Sequence, residues 1–86
     1  MNLNCYDQRR IAIVVRAGGQ CRVLRGRARY VREPQGENAL WIDVDDLAQG
    51  EGNLSLMLLE NAFDGEIVPD TQDDCDFRLV VAAPTA

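Results

Sequence analysis

Two segments between Leu24 and Asp46 change character at every residue, and together they read as a β-hairpin. In Leu24-Arg25-Gly26-Arg27-Ala28-Arg29-Tyr30, the residues Leu24, Gly26, Ala28 and Tyr30 share one side and Arg25, Arg27 and Arg29 the other. In Ala39-Leu40-Trp41-Ile42-Asp43-Val44-Asp45, Leu40, Ile42 and Val44 face one way and Trp41, Asp43 and Asp45 the other. A period of two is that of a strand with one buried face. The stretch Glu33-Pro34-Gln35-Gly36-Glu37 joins the two strands. Its Pro-Gln-Gly centre predicts a three-residue turn, with Pro34 fixing φ and Gly36 taking a positive φ.

Folding about Gln35 sets Arg29 against Trp41, Arg27 against Asp43 and Arg25 against Asp45. On the apolar side Tyr30 meets Leu40, Ala28 meets Ile42 and Gly26 meets Val44. A slip of one residue would put arginines among aliphatic side chains, so the pattern specifies this register. Each opposed pair contributes roughly 0.2–1 kcal/mol, and Arg29 stacked on Trp41 adds about 0.5–1 kcal/mol.

The remaining segments extend the same architecture. Ile11-Ala12-Ile13-Val14-Val15 is a β-branched run suited to a central strand, Arg10–Arg16. Ala17-Gly18-Gly19-Gln20 is a tight turn into a long second strand, Cys21–Arg32, where Gly26 predicts a bend or bulge. Residues 54–63 carry two signals. Leu54-Ser55-Leu56-Met57-Leu58 alternates like a fourth strand, yet Leu, Met, Glu and Ala favour helix, with Asn53 as an N-cap and Gly65 as a stop. The strand is preferred, closing in a helical turn at Glu60–Phe63. Glu66-Ile67-Val68 is a short strand ended by Pro69, and Cys75–Val81 is the last. Residues 1–8 read as an irregular lead-in and 82–86 as a frayed tail. The expected fold is a single mostly-β domain over residues 1–86: a small antiparallel twisted barrel or half-barrel of five or six strands, with at most one short helix around 54–63.

Charge is unevenly distributed. All nine cations are arginine, and there is no lysine or histidine. Residues 1–32 carry net +7 and residues 33–86 net −12, giving −5 for the 86-residue chain. Net negative charge disfavours non-specific nucleic-acid binding and favours a basic protein partner. No segment approaches the roughly 20 apolar residues of a membrane span. The start, Met1–Asp7, lacks the pattern of a signal peptide, so a cytoplasmic location is expected. Cys5, Cys21 and Cys75 have neither zinc-site spacing nor a histidine to assist. Cys21 and Cys75 are read as small inward-facing hydrophobes.

Catalytic signals are few. Without histidine the commonest general base is missing. Ser55, Thr71 and Thr85 have no adjacent base, and Gly50-Glu51-Gly52 lacks the rest of a phosphate loop. The cluster Asp70, Asp73, Asp74, Asp76 has the oxygen-rich character of a calcium loop without its glycine and closing glutamate, and reads first as a solubilising loop. The expectation is a protein that is not an enzyme and needs neither cofactor nor metal.

Two resemblances extend this reading. The order of strands over about residues 10–68 resembles small SH3-like or Sm-like barrels. Asn4-Cys5, Gly19 and Gly26-Arg27-Ala28 resemble the Rho-inhibiting antiterminators, acidic small barrels that bind a protein; that likeness implies binding through the acidic surface. Arg9-Arg10, with Asp46-Leu47-Ala48-Gln49-Gly50, is similar to the PilZ domain, a barrel that binds cyclic-di-GMP. Here Ala48 stands for the motif's serine and Val14 for its second arginine.

The leading expectation is a non-catalytic regulatory or adaptor module that binds a protein partner through Asp70, Asp73, Asp74 and Asp76, with Glu60, Asp64 and Glu66 nearby. An alternative is a nucleotide or single-stranded nucleic-acid binder. In it Arg25, Arg27 and Arg29 hold phosphates beside Trp41, with Arg9, Arg10 and Asp46 contributing. The opposing carboxylates favour reading the arginine stripe as self-matched structure. A third is a structural homo-oligomer paired through Ile11–Val15 or Arg78–Val81.

Overall fold

The computed structural model describes residues 2–47, 52–63 and 65–82. A 3-10 turn, Asn4–Tyr6, precedes six strands: β1 (Arg10–Ala17), β2 (Gln20–Val31), β3 (Ala39–Val44), β4 (Leu54–Leu59), β5 (Ile67–Pro69) and β6 (Phe77–Ala82). They form one sheet in the order β4-β3-β2-β1-β6-β5. The fold is therefore mostly β with six strands, as expected, but the sheet is not closed into a barrel. Among the described residues no helix is long and apolar enough to cross a membrane.

The hairpin register is the one read from the alternation. Gly26 opposes Val44, Arg27 Asp43, Ala28 Ile42, Arg29 Trp41 and Tyr30 Leu40. Its loop differs from expectation. The strands stop at Val31 and Ala39, leaving residues 32–38 as the connection, and Gly36 does not take a positive φ. The Asn38 side chain accepts the Glu33 amide at 3.0 Å instead, which ties the longer loop across its base. The other turn is as read: Gly18 and Gly19 have φ of +56° and +78° and join Ala17 to Gln20. Two consecutive left-handed residues match the right-handed twist of the flanking strands.

Gly26 makes no bulge, since β2 runs in register with β1 and β3 on both sides of it. Its role is close approach: a Cβ here would collide with the carbonyl group of Asp43.

One pairing differs in direction. β6 lies parallel to β1, with Ile11 opposite Phe77, Ile13 opposite Leu79 and Val15 opposite Val81. A period-two pattern fits either ladder direction, so side-chain alternation alone carries no information on this point. β1 is interior, and Ile11, Ala12, Ile13 and Val14 are all buried, as its unbroken apolar run requires.

The inner face carries Ile11, Ile13, Leu24, Ala28, Leu40, Ile42, Leu58 and Leu79. Ile13, Val15, Leu24, Leu54, Ser55, Leu56 and Val81 line one hollow of about 100 Å³. The edge strand β4 therefore curls round to face β6 and β1, and the sheet packs largely against itself. Leu3, from the segment expected to be irregular, is fully buried in this core. Tyr6 meets the Phe77 ring edge-on, with centroids 4.9 Å apart.

Residues 54–59 settle as strand, opposed to β3 from Leu40–Leu58 to Val44–Leu54. The segment ends in a turn, with the Phe63 amide on the Leu59 carbonyl at 2.9 Å. Cys21 is exposed and Cys75 lies in the loop before β6, so neither is an inward strand residue. With Leu24 and Gly26 inward, the odd positions of β2, Cys21 included, point outward. Of the tail expected over residues 82–86, Ala82 instead ends β6, paired with Arg16 of β1, and residues 83–86 lie outside the described residues.

Candidate functional site

The arginine stripe lies on the outer face of β2, where each of its three guanidinium groups has a partner within the chain. Arg29 Nε meets Asp43 Oδ2 at 3.1 Å while its guanidinium sits 5.9 Å from the Trp41 ring centroid. Asp43 lies opposite Arg27 in the ladder, as the register predicts, yet its ion pair is with Arg29. The diagonal pairing follows from side-chain length, because an extended arginine overshoots the residue directly opposite and reaches the next one along. Arg27 donates to the Gln8 carbonyl at 2.9 Å. Arg25 pairs with Asp46, not Asp45, at 3.2 Å, and its Nε donates to the Asp73 carbonyl at 2.9 Å. Asp45 instead takes Arg10 in a two-pronged contact of 2.5 and 3.1 Å. The hydrogen bond from Arg29, aided by Ser55, holds the Asp43 carboxyl below the ordinary range. Arg10 does the same for Asp45. Arg9 is exposed at the end of the lead-in.

The acidic residues divide between separate places. The loop 70–76 folds onto the outer face at the start of β1. Asp70 is its internal anchor: its carboxylate accepts the amides of Gln72, Asp73 and Cys75 at 3.2, 2.9 and 3.0 Å. Burial works against that charge, but these amides outweigh it and lower the Asp70 pKa. Asp76 accepts the Arg10 amide at 3.0 Å and returns its own amide to the Arg10 carbonyl at 2.9 Å. Asp74 is exposed with φ +60°. Glu60 lies at the end of β4, bonded to Leu3 and Tyr30 at 2.8–3.0 Å. Glu66 is exposed just before β5. Asp64 lies outside the described residues, as does the Ala48-Gln49-Gly50 part of the PilZ-like turn. Among the described residues no group of three acidic, cysteine or histidine side chains is placed to hold a metal ion.

The sheet edges are not those expected. Ile11–Val15 is interior, and Phe77–Leu79 is covered by β5. Among the described residues the two outermost strands are β5, which has three residues and ends in Pro69, and β4, which has six. β4 is Leu-Ser-Leu-Met-Leu-Leu, without charge, proline or glycine. Leu54 and Met57 are each 45% exposed, which is high for large apolar side chains. Beside them Met57, Leu58, Leu59, Ala62 and Phe63 line an open hollow of about 260 Å³. On the outer face Met57 adjoins Trp41, which adjoins Arg29.

Backbone hydrogen bonds fix which groups of β4 are available. The Glu60 amide donates to the Asn38 carbonyl at 3.0 Å, one step beyond the Ala39–Leu59 pair. Hydrogen-bonded and non-bonded pairs alternate along an antiparallel ladder. Leu58, Leu56 and Leu54 therefore bond to β3, while Ser55, Met57 and Leu59 turn their N–H and C=O groups to the open edge. The sequence indicated a strand here but not that it would be outermost, since strand order depends on long-range pairing.

Comparison with protein-family models, with curated proteins and with solved structures finds no match to the chain.

Proposed function

We propose that this chain is a non-catalytic protein-interaction module that takes up an extended segment along the open edge of β4. The observation that carries this reading is an edge strand of six residues without charge, proline or glycine, in which Leu54 and Met57 are exposed. Soluble proteins usually blunt such edges with lysine, proline, bulges or very short strands. β5 is protected in this way and β4 is not. Strand addition draws affinity from main-chain hydrogen bonds and selectivity from alternate side chains. The hollow beside Leu58 and Phe63 provides one site for such a side chain.

The acidic loop has a lesser part in this reading. Asp70 and Asp76 are committed to backbone amides, so it is chiefly their charge, not their hydrogen-bonding capacity, that would act on a partner. At physiological ionic strength that influence extends over about 8 Å.

Selection from a random peptide library on the immobilised protein tests this proposal. Peptides with alternating apolar residues are expected, and Met57→Pro should abolish their binding. The Met57 amide points away from β3, so proline there removes an outward donor and leaves the β3–β4 ladder intact. Selected peptides that bind Met57→Pro equally well, but lose binding when Asp73 and Asp74 become asparagine, would move the site to the acidic loop.

A further inference from the structure

The β4 edge is complementary to itself. Its outward backbone groups belong to Ser55, Met57 and Leu59, which are evenly spaced about Met57. An antiparallel copy centred on Met57 therefore pairs Ser55 with Leu59, Met57 with Met57 and Leu59 with Ser55. All three outward residues then lie in hydrogen-bonded pairs. The same two-fold axis keeps the inner faces of both sheets on one side, with Leu56 opposite Leu58. It also brings Leu54, 45% exposed, opposite Glu60 of the other copy, beside the hollow formed by Leu58, Ala62 and Phe63.

Electrostatics permit this arrangement despite the net charge of −5. No charge lies within Leu54–Leu59. Antiparallel pairing sets the two Glu60 side chains at opposite ends of the seam, roughly 20 Å apart at the rise of a β-strand. That exceeds the Debye length of about 8 Å at physiological salt.

We infer that the occupant of the β4 edge is a second copy of this chain, joined antiparallel through β4 with Met57 on the two-fold axis, making a continuous twelve-stranded sheet. This rests on the reading of β4 as a strand-accepting edge and names its partner and register. Such an isologous contact closes on itself, because among the described residues each copy has one long open edge and β5 is blunted.

Sedimentation equilibrium over a range of protein concentrations tests the proposal, using wild type, Met57→Pro, Met57→Lys and Met57→Glu. The wild type should pass from monomer to twice the monomer mass as concentration rises, and each variant alone should remain monomeric. Met57 is exposed, so a charge there leaves the fold intact. On the axis that charge meets its own copy. An equimolar mixture of Met57→Lys and Met57→Glu should therefore recover the dimer, which also shows that both variants are folded. A mixture that stays monomeric overturns the register. A wild type that is monomeric at every concentration overturns self-pairing, and peptides selected at β4 would then leave the strand-accepting edge standing. A dimer that persists in all three variants places the interface elsewhere and overturns self-pairing through β4.

Discussion

The carboxylate of Glu60 accepts the backbone amide of Leu3 at 2.8 Å. This contact spans 57 residues of sequence and holds the buried Leu3 in the core. The same carboxylate accepts the Tyr30 hydroxyl at 2.9–3.0 Å. The Leu3 amide first, and then Tyr30, hold the Glu60 pKa below its ordinary value. A carboxyl whose folded pKa is lowered stabilises the fold above its unfolded pKa, and that contribution is lost as pH falls through the folded value. Glu60→Gln should therefore lower the urea midpoint at pH 7. The gap from wild type should close as pH falls through the lowered folded pKa of Glu60, where its carboxyl becomes neutral in the folded chain as in the unfolded one. Urea titrations of the two proteins across this range check it. A gap that persists unchanged in acid would assign the effect to shape rather than charge.

Gly26 is held by crowding. It is buried in β2, and a Cβ would strike the Asp43 carbonyl group of the facing strand. Gly26→Ala should force β2 and β3 apart and cost roughly 1–3 kcal/mol, as overpacking does. Gly18→Ala meets no neighbouring atom but has φ +56°, so its cost comes from backbone conformation and should be smaller, roughly 1 kcal/mol. Equal losses in denaturant midpoint would contradict this distinction.

These two sites mark how far the sequence can be read. The β2–β3 register followed from alternation because one wrong step would bury arginines. The β4 segment alternated as well and proved to be a strand. Neither the parallel β1–β6 pairing nor the outermost position of β4 was legible, because both depend on contacts between distant segments. Leu3 carried no signal, since one leucine among polar residues has no period. The cross-strand ion pairs are not between directly opposed residues: Arg29 reaches Asp43, two residues beyond the Trp41 it faces, and Arg25 takes Asp46 instead of Asp45, because long side chains reach past the residue opposite. The acidic run was visible, but nothing in it revealed that Asp70 would be occupied by its own loop.

Asp70 should govern the exposure of Cys75. Its carboxylate holds the Cys75 amide at 3.0 Å, and burial raises the Cys75 thiol pKa while nearby Arg10 pulls against it. Asp70→Ala frees three amides and loosens the loop. Cys75 should then react with a thiol reagent several-fold faster at neutral pH. Cys5 and Cys21 are already exposed, so their rates should not change and provide an internal control. Mass mapping of the labelled cysteines reads all three rates in one experiment. An unchanged Cys75 rate would show that contacts other than Asp70 hold the loop.

The arginine stripe and Trp41 supply a contrasting test. A phosphate ligand would have to compete with Asp43 for Arg29, with Asp46 and the Asp73 carbonyl for Arg25, and with the Gln8 carbonyl for Arg27. The carboxylates are held in place on the same surface, so an incoming phosphate would meet fixed negative charge. The amide NMR spectrum of labelled protein is therefore expected to keep its Trp41 indole signal in place when cyclic-di-GMP, and then a short RNA, are added at low salt. Displacement of Asp43 by a phosphate would instead move the Trp41 indole together with the Arg25–Arg29 amides. Counterion release would make that shift fade as salt is raised. A shift with this salt dependence would make the outer face of β2 a binding surface in its own right, with Asp43 and Asp46 as the groups that a ligand displaces.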